Sequence, residues 1–171
     1  MFDKIMQDFE KEETVDKELI KRFQETLPTD VLNIWEKYGF GSVYNGFLKI
    51  INPMAYWGFV KETFFLDNTI PIMITGTGEI IAWVKNEYIY MLDYKKNDFE
   101  SLACGFDFFW EDLDNKTIKF LSAKAKEYEK ILKEKGKLNY EECFVMEKKL
   151  SGVKMDIHEY LEKLVDIYGK I

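Results

Sequence analysis

The chain has 171 residues, 47% of them hydrophobic and 16% aromatic, which is material for one well-formed core. Its 24 Lys and Arg against 31 Asp and Glu leave a net charge of −7, a balance that repels phosphate backbones and argues against nucleic-acid binding. Three prolines and ten glycines are too few for a long disordered linker, and the two cysteines, Cys104 and Cys143, form no CxxC pair, so a disulfide framework or thiolate zinc site is not indicated.

Acids interrupt the apolar residues of the opening Met-Phe-Asp-Lys-Ile-Met-Gln-Asp, which therefore does not read as a signal peptide. No stretch approaches the roughly 18 apolar residues of a membrane span, and the expected compartment is the cytoplasm. Helical spacing opens the chain, with Phe2, Ile5, Met6 and Phe9, then Leu19, Ile20, Phe23 and Leu27. Leu27-Pro28-Thr29-Asp30 ends one helix and starts another, with Thr29 or Asp30 as its cap. Val31, Ile34 or Trp35, and Tyr38 form its face, and Gly39 closes it. A Gly-rich turn, Gly39 to Ser42, leads to a short strand from Phe47 to Ile51. Asn52-Pro53 then caps a helix lined by Met54, Trp57, Val60 and Phe64.

The middle of the chain is β-rich. Ile70 to Thr75, Glu79 to Val84, and Tyr88 to Leu92 are runs of β-branched and aromatic residues, and a fourth runs from Ser101 to Cys104. Ile80, Ala82 and Val84 alternate with Ile81 and Trp83, so both faces are apolar and the sheet is expected to be covered on both sides. Lys85-Asn86-Glu87 supplies a hairpin turn. After Asp107 the helical period returns. Asp114-Asn115 is expected to cap a long helix with a buried stripe of Ile118, Leu121, Ala125, Tyr128 and Leu132, ended by Gly136, and a last helix covers Ile157 to Tyr168. The reading is an α+β fold: a central, mostly antiparallel sheet of about four to five short strands flanked by helices, with a helical N-terminus and a long helix after the sheet. It forms a single domain over residues 1–171, with a helical lobe at 1–66 and the sheet and C-terminal helices at 67–171.

Motifs for chemistry are sparse. Thr75-Gly76-Thr77-Gly78-Glu79 contains a GxG, but a strand follows it where a dinucleotide fingerprint needs a helix, so a tight turn is the better reading. His158 is the only histidine, which removes a His metal cluster and leaves a Cys–His pair without local support. No catalytic residue, metal or cofactor is expected. Lys124, Lys126, Lys130, Lys133 and Lys135 alternate with Glu127, Glu129 and Glu134, the pattern of a solvated, ion-paired face. The run from Asp107 to Asp114 reads as a short helix with Phe109 and Trp110 inward and acids near its positive end. It also reads as an acidic, aromatic contact surface for a basic partner.

In order along the chain, Leu27-Pro28, Val31-Leu32, Trp35 and Tyr38-Gly39-Phe40-Gly41 resemble the opening block of the GAD-like domain family. Gly46-Phe47, Asn52-Pro53 and the pair of strands from Ile72 to Val84 resemble its next segments. Leu138, Glu141 and Phe144-Val145, then His158, Leu161 and Leu164, resemble the associated C-terminal domain, formerly of unknown function, of type VI secretion immunity proteins of the DNase-neutralising type. The likeness runs over about residues 1 to 170. It departs at Met146 to Gly152, where the family's proline and first glycine are missing. The resemblance implies a bacterial immunity protein that binds and blocks a cognate toxin, possessing no catalytic residues of its own.

The contact residues expected for that role are Asp98, Glu100, Asp107, Glu111, Asp112 and Asp114, with Trp110 as anchor. The partner is then the cognate toxin or effector, with neither nucleic acid nor membrane bound directly. The alternative is a small-molecule or regulatory sensor with Trp35, Tyr44 and Trp57 lining a pocket. A hydrolase with dispersed carboxylates is the third reading, and no convergent motif supports it.

Overall fold

Seven strands form one sheet in strict chain order in the computed structural model, which describes residues 4–115, 119–148 and 151–171. The strands are β1 (Glu10–Glu13), β2 (Phe40–Val43), β3 (Leu48–Ile50), β4 (Thr69–Thr75), β5 (Ile80–Val84), β6 (Tyr88–Asp93) and β7 (Asp98–Cys104). Every neighbouring pair is antiparallel. A separate antiparallel pair joins β8 (Glu142–Phe144) to β9 (Lys154–Asp156). The described helices are α1 (Lys17–Phe23), α2 (Thr29–Tyr38), α3 (Pro53–Thr63), α4 (Phe106–Asp114), α5 (Lys119–Lys135) and α6 (Ile157–Tyr168), after a 3-10 turn at Ile5–Asp8.

The register explains why both faces of the strands are apolar. Met73, Ile81 and Met91 stand opposite one another across β4, β5 and β6 and share a core with Trp35 of α2, Trp110 of α4 and Tyr128 of α5. Ile74, Ile80 and Leu92 face the other way, into a second core with Tyr56 of α3 and Leu161 of α6. Side chains alternate across a pleated strand, so a sheet with helices on both sides needs apolar residues at every position. β5 satisfies this along its whole length, all five residues being buried.

The α+β class and the large antiparallel sheet agree with expectation, but the sheet has seven strands where four to five were expected. Three of the seven come from the first 66 residues, so that part is not simply a helical lobe: β1, β2 and β3 belong to the same sheet as the rest. The stretch expected as a Gly-rich turn is β2 itself. Gly41 is needed there because a Cβ would lie 2.2 Å from the Glu10 carbonyl of β1. β1 escapes a pattern search because Glu-Lys-Glu-Glu has no apolar alternation and all four residues are exposed. Its conformation is imposed by pairing with β2.

Side-chain caps follow local chemistry at α1, α3 and α6. The Asn52 side chain accepts from Met54 N at 3.0 Å with Pro53 in the first turn, and Asp156 accepts from Glu159 N at 3.1 Å. α2 differs: it begins at Thr29 after Pro28, with no side-chain cap. Asp114 and Asn115 close α4, the Asn115 amide bonding to the Glu111 carbonyl, so they end one helix where the sequence pattern had them start the next. The positions Phe2, Ile118, Lys149 and Leu150 lie outside the described residues.

Candidate functional site

α4 is amphipathic by its own spacing. Phe106, Phe109, Trp110 and Leu113 recur at helical intervals and are buried against the sheet. The turns between them carry Asp107, Phe108 and Glu111, all exposed, and Asp112 and Asp114, which are half-buried. Trp110, expected as a surface anchor, is only 1% exposed and packs on Phe106 at 5.6 Å between ring centres. It belongs to the core because it falls on the same stripe as Phe106 and Leu113. The aromatic ring that faces outward is that of Phe108, 61% exposed. Residues 111 and 112 lie one turn further along its side of the helix, so a large apolar ring is bordered by Glu111, Asp112 and its neighbour Asp107. The period made Phe108 legible: once Phe106, Phe109 and Trp110 are assigned inward, Phe108 is left outside.

Asp98 and Glu100 lie on β7, the last strand. Glu100 stands opposite Met91 and Asp98 opposite Asp93, so both point to the side of the sheet that α4 covers. Some of the acids chosen from the sequence are already engaged: Asp114 accepts from Lys4 Nζ at 2.9 Å and Asp98 from the Phe99 N–H at 2.8 Å.

The three aromatics of the expected pocket do not come together. Trp35 is a core residue in edge-on contact with Phe23 and Phe40. Trp57 packs on Phe23, with the Arg22 guanidinium 6.0 Å from its ring. Tyr44 alone lines a cleft, of about 400 Å³, together with Phe47, Asp112, Leu121, Ala125 and Lys126. Burial, followed by the charges of Asp114 and Asp8, pushes the Tyr44 hydroxyl up to about 12.

The GxG turn between β4 and β5 is fully buried. A Cβ on Gly76 would sit 2.4 Å from the Tyr128 ring of α5, and one on Gly78 (φ +92°) would sit 2.8 Å from the Tyr160 ring of α6. The glycines admit two aromatic rings, one from each face of the sheet. Beside them Glu79, 3% exposed, accepts from Thr77 Oγ1 at 2.5 Å and from Thr75 Oγ1, and forms an ion pair with Lys124. Lys124 also reaches Asp93 at 3.4 Å. Lys124, counted with the solvated lysines of the long helix, is thus drawn inward; burial alone would lower the pKa of its ammonium, but Glu79 and Asp93 outweigh it and raise it.

Lys49, on the opposite face, is more deeply buried. Lys49, 1% exposed, donates to the carbonyls of Asn139 (2.9 Å), Tyr140 (2.7 Å) and Glu142 (2.5 Å), and burial brings its pKa down to about 8. All three protons are used in holding residues 139–142 against β3. The remaining chemistry-bearing side chains are dispersed. His158 is exposed and stacks on Tyr56 at 4.2 Å, Cys104 is exposed at the end of β7, and the Cys143 thiol is pushed up by burial. Among the described residues no three His, Cys, Asp or Glu side chains converge as metal ligands, and no helix is long and apolar enough to cross a membrane.

A model of the GAD-like domain family matches residues 1–91, more than half of the chain. The chain belongs to the GAD-like domain family. The matched part of this GAD-like chain holds the sheet from β1 through most of β6, and α4 and α5 lie beyond it. The fold of the whole chain is similar to that in the crystal structure of Atu4351 from Agrobacterium tumefaciens, with a TM-score of 0.74 over 99% of this chain and 89% of that one, at 15% identity. At that identity the likeness speaks for the fold. No curated protein matches the chain.

Proposed function

We infer that this GAD-like protein is a non-catalytic binder that neutralises a secreted toxin inside the producing cell, seating the outer face of α4 on a basic surface of the toxin. The observation that carries the reading is Phe108, 61% exposed and bordered by Asp107, Glu111 and Asp112. In the free chain most of this ring stays in water. A partner gains an apolar anchor whose charged rim excludes water, the arrangement of an interface hot spot. The −7 net charge favours encounter with a cationic cleft such as that of a nuclease, and the binder needs no reaction of its own. Type VI secretion is the delivery route that the family resemblance suggests for the toxin.

The test is co-expression with the product of the adjoining gene. Rescue of a growth defect and a co-purifying complex are expected, with Phe108→Ala weakening binding by roughly 30-fold, the equivalent of a hot-spot loss of about 2 kcal/mol. Association should also weaken as salt rises. A harmless neighbour with no complex sinks the reading.

The Tyr44 cleft favours a second reading, a regulatory domain for a small, partly apolar ligand. A thermal-shift screen in which a compound raises the melting temperature of the wild type but not of Phe47→Trp, which fills the cleft, would support it.

A further inference from the structure

The sheet has two edges, and they are not alike. β1 is a row of exposed charges, Glu10-Lys11-Glu12-Glu13, with Glu10 ion-paired to Lys137. β7, at the other edge, is longer and reads Asp-Phe-Glu-Ser-Leu-Ala-Cys, with none of its seven residues buried. Among the described residues no strand pairs with its outer side. The Phe99 N–H donates to the carboxylate of the preceding Asp98 at 2.8 Å, so a side chain takes up a donor on this last strand.

The two sides of β7 differ in chemistry. Asp98 and Glu100 project to the α4 side. Phe99 projects to the other, where it stacks on Tyr90 (5.4 Å, 21°) and meets Phe65, itself 63% exposed, at 5.6 Å. Tyr88 extends the strip, 6.0 Å from Tyr90. Of the nearby lysines, Lys96 pairs with Asp93 and Lys95 donates to the Met146 carbonyl, so each has a local role.

We propose that β7 is a docking edge for an extended segment of the toxin in which basic and apolar residues alternate. This deepens the toxin-binding reading and rests on it. A strand added beside β7 turns successive side chains to opposite faces. One set then meets Asp98 and Glu100, the other meets Phe99, Tyr90 and Phe65. Charge complementarity selects the first set and aromatic contact the second, so alternation itself is the recognised feature. α4 packs on β7 and β6, so an added strand runs at the margin of the layer that holds that helix.

The probe is a short synthetic peptide alternating lysine and valine, compared with a peptide of the same composition in which the lysines and valines are blocked together. Binding is read by fluorescence anisotropy and by amide shifts in 15N spectra of the intact protein. The alternating peptide should bind about tenfold more tightly than the blocked one, with shifts centred on residues 98–104. Charge reversal at Asp98→Lys and Glu100→Lys should transfer the preference to a peptide alternating glutamate and valine. Ser101→Pro, which removes an edge amide two residues from that of Phe99, should abolish binding. Equal affinity for the two lysine peptides, shifts confined to β1 or α4, or an unchanged preference after charge reversal overturns the proposal. So does a concentration-dependent dimer of this chain through β7. If the toxin binds Ser101→Pro and the charge-reversed chain as well as wild type, the β7 edge is refuted while the toxin-binding reading stands. If the toxin binds neither wild type nor variants, that reading falls first.

Discussion

Two groups of carboxylates in this protein have opposite surroundings. Glu79 and Asp93 are enclosed between the sheet and α5, and Lys124 and threonine hydroxyls occupy their oxygens. Asp107 and Glu111 on α4 stand in water beside an exposed phenyl ring. A buried ion must be matched where it is buried, and the match then fixes the elements that carry it. An exposed one costs the fold little and keeps its field available to a partner. The comparison separates charges that hold α5 on the sheet from charges open to another molecule.

The largest effect is expected of Lys124→Met, which leaves Glu79 buried beside a thioether. Urea unfolding should show a loss of about 3–5 kcal/mol, and adding Glu79→Gln should recover part of it. An unchanged midpoint would mean that the pair is solvated. Next comes the contrast between two aromatic residues of α4. Trp110→Ala should cost about 3–5 kcal/mol, whereas Phe108→Ala should stay within about 0.5 kcal/mol while toxin affinity falls.

Lys49 extends the contrast to pH. Burial holds its ammonium at about 8 against the ordinary 10.5. Below that window the folded and unfolded chains both carry the proton. Within it the unfolded chain binds more, so stability relative to Lys49→Met should rise between about 8 and 10.5 and level off above. Paired urea titrations on either side of the window measure this. The smallest effect belongs to Glu111→Gln, expected to slow association modestly at low salt and to leave the melting curve in place.

Much of the fold was legible because it rests on local repetition. β4, β5 and β6 announce themselves by β-branched residues on both faces, and the last helix falls on Ile157–Tyr168 as its period and Asp156 cap require. What escaped was decided at long range. The burial of Lys124 depends on Glu79, which is 45 residues away, and nothing in the Lys-Glu pattern of α5 marks that lysine as different. Gly76 and Gly78 could be read as a turn, but the rings of Tyr128 and Tyr160 that require them come from two distant helices. In the candidate site, the acids of α4 were visible as composition. The exchange of Trp110 for Phe108 needed the helix phase to be carried through to each residue.

The unlike edges of the sheet have a consequence for assembly. Fibrils and stacked sheets grow when each added unit presents the same open side that it occupied. Here a strand added at β7 meets one set of side chains, while β1 offers only Glu10, Lys11, Glu12 and Glu13 to an incoming backbone. A segment bound at β7 therefore finds no matching edge on the far side of the sheet from which a stack could be continued.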